Sequence, residues 1–193
     1  MAKKINSNIP QTPSTTEVPE GYIIDYISGQ LVKEGPEEIN AVQIYSRILV
    51  EDYGYPKSHI QTRPQFRVKA SPSDTDYKYP VDIVVFKDEH KRRGEEIIVI
   101  ECKKPTREDG VDQLKHYLSF SEASLGVWFN GESTHYLQKI IVDGRILFNE
   151  HIINIPRYGQ RLEDIGLFKK KDLKPTHNLK YKFMAIRNYL AGN

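Results

Sequence analysis

A chain of 193 residues, 38% of them hydrophobic, can bury one good core, and its 28 basic and 26 acidic residues leave a formal charge of only +2. A mean hydropathy of -0.58, with no apolar run near the ~18 residues a membrane span needs, argues against a membrane protein, and so mild a charge neither demands nor excludes nucleic acid. The single cysteine excludes an internal disulfide, and the opening MAKKINSNIPQTPSTTEVPE lacks the apolar core and cleavage site of a signal peptide; a soluble protein in a reducing cytoplasm is expected. Residues 1–20, rich in Pro, Ser and Thr, read as a flexible arm outside the core. Residues 36–52, PEEINAVQIYSRILVED, put Ala41, Val42, Tyr45, Ile48 and Leu49 on one helical face, with Pro36 suited to the first turn and Gly54 and Pro56 ending the helix. Residues 60–68 alternate as one strand, and residues 69–79 read as an exposed loop. Residues 80–86 and 97–102 are Val/Ile-rich strands joined by the charged turn KDEHKRRGEE. Residues 109–122 form a second helix burying Val111, Leu114 and Leu118, followed by strands at 126–130 and 134–142. Near the C-terminus, Phe183, Ile186 and Leu190 are spaced for the packing face of a further helix. This order of elements predicts an α/β fold.

Two of these strands carry charge where apolar residues are expected. Side chains alternate across a strand, so Glu101 and Lys103 share one face while Ile100 and Cys102 share the other, which assigns Cys102 to the core. Antiparallel pairing with the preceding strand would bring Asp82 near Glu101. Two such acids repel, and one resists ionisation unless a cation joins them. Hard carboxylate oxygens favour Mg²⁺ or Mn²⁺ over zinc, and the histidines at 59, 90, 116, 135, 151 and 177 show no paired ligand spacing. On the residues alone, a partly buried Glu101–Lys103 ion pair is the favoured reading and a metal-holding site the alternative.

Pro80-Val81-Asp82 followed by Glu101-Cys102-Lys103 resembles the PD-(D/E)xK nuclease superfamily, with Val81 interposed where the motif's proline and aspartate are usually adjacent. GPEEINAVQIYSRILVEDYGYP resembles the opening helix of the N-terminal nuclease domain of type I restriction enzyme R subunits. VDQLKHYLSF carries the Q-x-x-x-Y element of that branch as Gln113 and Tyr117, and VWFNG resembles the strand that follows. The resemblance covers residues 36–142.

It implies a restriction-endonuclease-like sandwich, a mixed central sheet flanked by helices on both faces, acting as a Mg²⁺-dependent DNA endonuclease that leaves 5′-phosphate and 3′-hydroxyl ends. Asp82, Glu101 and the Cys102 backbone carbonyl would hold Mg²⁺, for which Mn²⁺ can substitute. Lys103 would act on the water or the developing charge, and Gln113 and Tyr117 would position it or the phosphate. Glu38 is favoured over Glu37 as a further site acid because it shares the face of Ala41 and Tyr45, whereas Glu37 is expected to turn toward solvent; complementing the helix dipole is the other reading of Glu38. Lys104 and Arg107 are candidate contacts to double-stranded DNA, with Lys91, Arg92 and Arg93 and the run at 169–171 weaker ones, all to the phosphate backbone without base choice. No Walker A motif occurs in the chain, so ATP would act only through a motor domain elsewhere, alongside methyltransferase and specificity subunits. The expected organisation is an arm over 1–20, a nuclease domain over 21–160 and a basic, helical extension over 161–193 leading into a further module. A stand-alone repair or junction nuclease, and a non-catalytic DNA-binding or assembly module of the same fold, are the alternatives.

Overall fold

The computed structural model describes residues 18–69 and 71–162. The predicted arm therefore lies outside the described residues except for 18–20, and so do the C-terminal helix and the basic run at 169–171. In chain order the elements are β1 (Tyr22–Ile24), β2 (Leu31–Lys33), a π-helical turn (Glu38–Val42) leading into α1 (Gln43–Glu51), β3 (Ile60–Gln61), β4 (Phe66–Val68), β5 (Tyr79–Val81), β6 (Ile83–Phe86), β7 (Glu96–Cys102), α2 (Val111–Ser119), β8 (Leu125–Phe129), β9 (Thr134–Val142) and β10 (Arg145–Asn149). Among the described residues no helix is long and apolar enough to cross a membrane.

Six strands form a mixed central sheet in the order β10-β9-β8-β7-β6-β3. β7 and β8 run parallel, with Ile98 opposite Leu125 and Cys102 opposite Phe129, and α2 makes the crossover that a parallel pair requires. Strand alternation sorts the core into two layers. Ile83, Val85, Ile98, Ile100, Cys102 and Val127 pack under Ala41, Tyr45 and Leu49 on the α1 face. Val84, Val99, Trp128 and Leu137 pack under Leu114, Tyr117 and Leu118 on the α2 face. α2 lies so close on β8 that a Cβ at Gly126 would stand 2.7 Å from Leu118 Cδ1. The chain is an α/β sandwich with helices on both faces of a mixed sheet, as a restriction-endonuclease-like fold requires, and Cys102 is fully buried in the core as expected.

Three expectations change. The strand over 60–68 is broken between Gln61 and Phe66: β3 joins the central sheet and β4 leaves it to pair with β5. The strand over 80–86 is likewise two strands. Val81 and Val84 both face α2 although they stand an odd three positions apart, so the alternation slips by one at Asp82. The β1–β2 hairpin and β10 were not foreseen; strands of three residues give too short a period to read, and β10 is a largely exposed edge strand. The charged turn does join neighbouring antiparallel strands, β6 and β7. Its three candidate DNA contacts are committed within the protein: Lys91 Nζ donates to the Ile60 carbonyl at 2.7 Å, Arg92 pairs with Asp88 and Glu95, and Arg93 lies over the Tyr77 and Phe66 rings at 3.7 and 4.3 Å.

Candidate functional site

The slip at Asp82 places its carboxylate. β6 pairs with β7 in the register Ile83–Ile100 and Val84–Val99, and one further step sets Asp82 opposite Glu101. There the ladder ends as β5 departs to pair with β4. The terminal Cys102 N–H donates to Asp82 Oδ2 at 2.8 Å, and Gln65 Nε2 donates to Oδ1 at 3.2 Å. Glu101 is only 1% exposed. Its Oε1 accepts from Lys103 Nζ, while its Oε2 is buried without any hydrogen-bond partner. An orphaned carboxylate oxygen is costly in a protein interior and calls for an explanation.

Burial pushes both carboxyls above the usual range. For Glu101 the charge of Asp82 adds to burial, while Lys103 opposes both. For Asp82 burial is opposed by the Cys102 N–H and by the charges of Lys103 and Arg63, whereas Glu37 pushes it further up. Lys103 is pulled down by burial, yet its bond to Glu101 and the surrounding acids leave it raised. The three groups thus form one tightly coupled cluster.

α2 completes it. Gln113 Oε1 accepts from Lys103 Nζ at 3.2 Å, Gln113 Nε2 donates to the Tyr117 hydroxyl, and that hydroxyl donates to the Pro80 carbonyl at 2.8 Å. One turn of helix therefore links the lysine to the strand that leads into Asp82. Tyr117 is fully buried, so it joins Leu114 and Leu118 in the core, which the expected buried face of Val111, Leu114 and Leu118 did not include.

The loop carrying Lys104 and Arg107 is fixed by residues that sequence reading passed over. Trp128 Nε1 donates to the Asp109 carbonyl at 2.8 Å, and the buried Asn130 amide donates to the Pro105 and Arg107 carbonyls at 3.3 and 2.9 Å. Both lie in or just after β8, the segment singled out as VWFNG, so a polar donor in a buried strand was the available signal. Arg107 is exposed and paired with Asp109, and Lys104 is exposed. Gly110 caps α2 at φ 113°, a backbone conformation that side chains disfavour, and a Cβ there would stand 2.8 Å from Lys103 Cε and 2.9 Å from Trp128 Nε1. Gly110→Ala is expected to cost on the order of 1–3 kcal/mol and to displace Lys103; a melting curve equal to the parent's would show that the loop yields freely.

At the opening helix Glu38 is covered as expected, but Glu37 does not turn to solvent. Glu38 Oε2 is bound by Arg63 at 2.6 Å and its Oε1 by Gln43 at 2.8 Å. Glu37, expected to face solvent, is half-buried and close enough for its charge to act on Asp82, Glu101 and Lys103. The cause is the π turn: its wider i→i+5 winding rotates residues before Val42 relative to an α-helical count.

Asp82 and Glu101 with the buried, unpartnered Oε2 suit a hard cation. Among the described residues no three His, Cys, Asp or Glu side chains gather into a ready-made metal cage, so backbone and water oxygens would have to complete a shell. No curated protein and no solved structure matches the chain significantly. The family described as type I restriction enzyme R protein N terminus matches residues 36–156, a span that contains the opening helix, both acids, Lys103, the Gln113–Tyr117 pair and the whole central sheet. On that match the chain belongs to the family of type I restriction enzyme R protein N-terminal domains.

Proposed function

We propose that this domain is the DNA-cutting part of a type I restriction enzyme R protein, a PD-(D/E)xK nuclease that hydrolyses phosphodiester bonds with Mg²⁺. The observation that carries the reading is the buried Glu101 Oε2, left without a partner beside Asp82 and Lys103. A structural ion pair needs one acid; a second acid in the same dry place raises the cost unless a cation is shared. Asp82, Glu101 and the Cys102 carbonyl would hold Mg²⁺, or Mn²⁺ in its place, with water and phosphate oxygens filling the shell. When bound, the ion supplies Lewis-acid polarisation of the phosphoryl group and lowers the pKa of a ligated water. Lys103 steadies the attacking water or the charge growing on the phosphoryl oxygens. Gln113 holds Lys103, and Tyr117 holds Gln113. Lys104, exposed next in sequence to Lys103, adds attraction for duplex DNA without base choice. Glu37 is better placed than Glu38 to act on the site directly. Partners would be the methyltransferase and specificity subunits, with ATP used by a motor domain.

Asp82→Asn and Lys103→Ala test this in an assembled enzyme carrying the domain. Each is expected to lower Mg²⁺-dependent cleavage by about a hundredfold or more, while the domain still melts cooperatively. Cleavage at the parent's rate by Asp82→Asn would end the reading.

A further inference from the structure

The connection between β3 and β4, residues 62–65, lies against the acidic cluster at two points. Gln65 Nε2 donates to Asp82 Oδ1 at 3.2 Å, and two residues earlier the Arg63 guanidinium meets Glu38 Oε2 at 2.6 Å. The Arg63 side chain is only 20% exposed, unlike a solvated surface arginine. Its anchorage is built from the β1–β2 hairpin. The Thr62 hydroxyl donates to Asp25 Oδ2 at 2.5 Å, Gln43 Nε2 donates to Asp25 Oδ1 at 2.9 Å, and Asp25 is itself 1% exposed. Arg63 is further tied to its neighbour's carbonyl at Thr62, at 2.8 Å. The hairpin, the π turn and the loop together fix the guanidinium two residues from the Gln65 that binds Asp82, near enough for its charge to act on that carboxylate.

A guanidinium this covered needs an anion, and Glu38 supplies one in the DNA-free protein. Glu38 does not depend on Arg63 in return, because its other oxygen is held by Gln43. We propose that Arg63 is a phosphate-contacting residue, whose guanidinium exchanges Glu38 Oε2 for a backbone phosphate oxygen when duplex DNA lies against the acidic cluster. The proposal rests on the nuclease reading, since it takes DNA to lie across Asp82 and Glu101. Carboxylate and phosphate present the same acceptor geometry to an arginine fork, so Glu38 holds the place of the phosphate. A strand bound there would meet both the Lys103 ammonium and the Arg63 guanidinium, the two cations whose charges act on Asp82.

The test is binding of a short fluorescent duplex to this chain, with Ca²⁺ in place of Mg²⁺ to suppress cutting, over a KCl series. Arg63→Ala is expected to weaken binding several-fold and to reduce the slope of log K against log salt by about one. Arg63→Lys should restore the slope, which counts charges, while recovering only part of the affinity, because an ammonium lacks the fork. Glu38→Gln removes the competing carboxylate and should tighten binding with no change of slope. The double variant Arg63→Ala/Glu38→Gln leaves no unpaired carboxylate and should reproduce the reduced slope if Arg63→Ala alone folds poorly. An unchanged slope in a folded Arg63→Ala or double variant overturns the proposal, as does a parent chain whose duplex binding ignores salt. Binding is read without cleavage, so parent-like cutting by Asp82→Asn would remove the nuclease reading while the slope still reported on Arg63.

Discussion

Glu101→Gln is expected to abolish Mg²⁺-dependent cleavage and, in the same variant, to remove much of the pH dependence of stability in the metal-free domain. Burial and the Asp82 charge raise the Glu101 carboxyl, the reverse of the usual carboxylate case. From about pH 4.3, where an unperturbed glutamate titrates, upward through neutrality, the unfolded chain has lost this proton and the folded chain keeps it. The folded state then binds more protons, so stability falls as pH rises through that window. Glutamine mimics the protonated carboxyl at every pH, and Lys103 retains Gln113 as an acceptor. The variant should therefore match the parent at acid pH and exceed it above neutrality by on the order of 1–2 kcal/mol, or several degrees in Tm. Mg²⁺ should reverse the order, stabilising the parent and leaving the variant unmoved. Melting curves from pH 5 to 9 with and without Mg²⁺ read all of this; parallel curves for parent and variant would refute the strained, metal-binding role of Glu101.

Glu101 and Lys103 were legible because period-2 alternation is a local rule that β7 obeys: Cys102 is in the core, and Glu101 and Lys103 share the opposite face. α2 was legible for the same reason, its apolar residues falling at helical spacing under Gln113 and Tyr117. What escaped lies where local periodicity breaks. Asp82 sits at a slip between strands of two sheets, and past the π turn an α-helical count no longer tells that Glu37 is covered and acts on the cluster. Arg63 escaped for a different reason. Its place depends on Asp25, Gln43 and Thr62, which come from three separate elements and meet only after the chain has folded. Trp128 and Asn130 look like ordinary strand residues until the loop they hold is seen to carry Lys104.

Gln113→Ala should separate activity from stability, whereas Tyr117→Phe, in the same relay, should lower both. Gln113 lies on the exposed side of α2, so its truncation should change stability by no more than about 0.5 kcal/mol. It frees Lys103 from an acceptor at 3.2 Å, and with only Glu101 left to direct it the ammonium loses orientation. In an assembled enzyme cleavage should fall about tenfold or more, through kcat rather than DNA binding, and by less than Lys103→Ala. Tyr117 is different. Phenylalanine preserves its packing among Leu114, Leu118 and Trp128, but the Pro80 carbonyl loses its donor and Gln113 loses its acceptor, a cost of roughly 1–3 kcal/mol. Tyr117→Phe should therefore melt measurably lower and also cut more slowly. If Gln113→Ala cut at the parent rate, and Tyr117→Phe lost activity only in proportion to its unfolded fraction, the pair would be a helix-to-strand tie and no part of the cutting machinery. The relay's far end argues for the larger effect: Pro80 stands two residues before Asp82 at the point where β5 leaves the sheet, so Tyr117 bears on the position of the aspartate as well as the lysine.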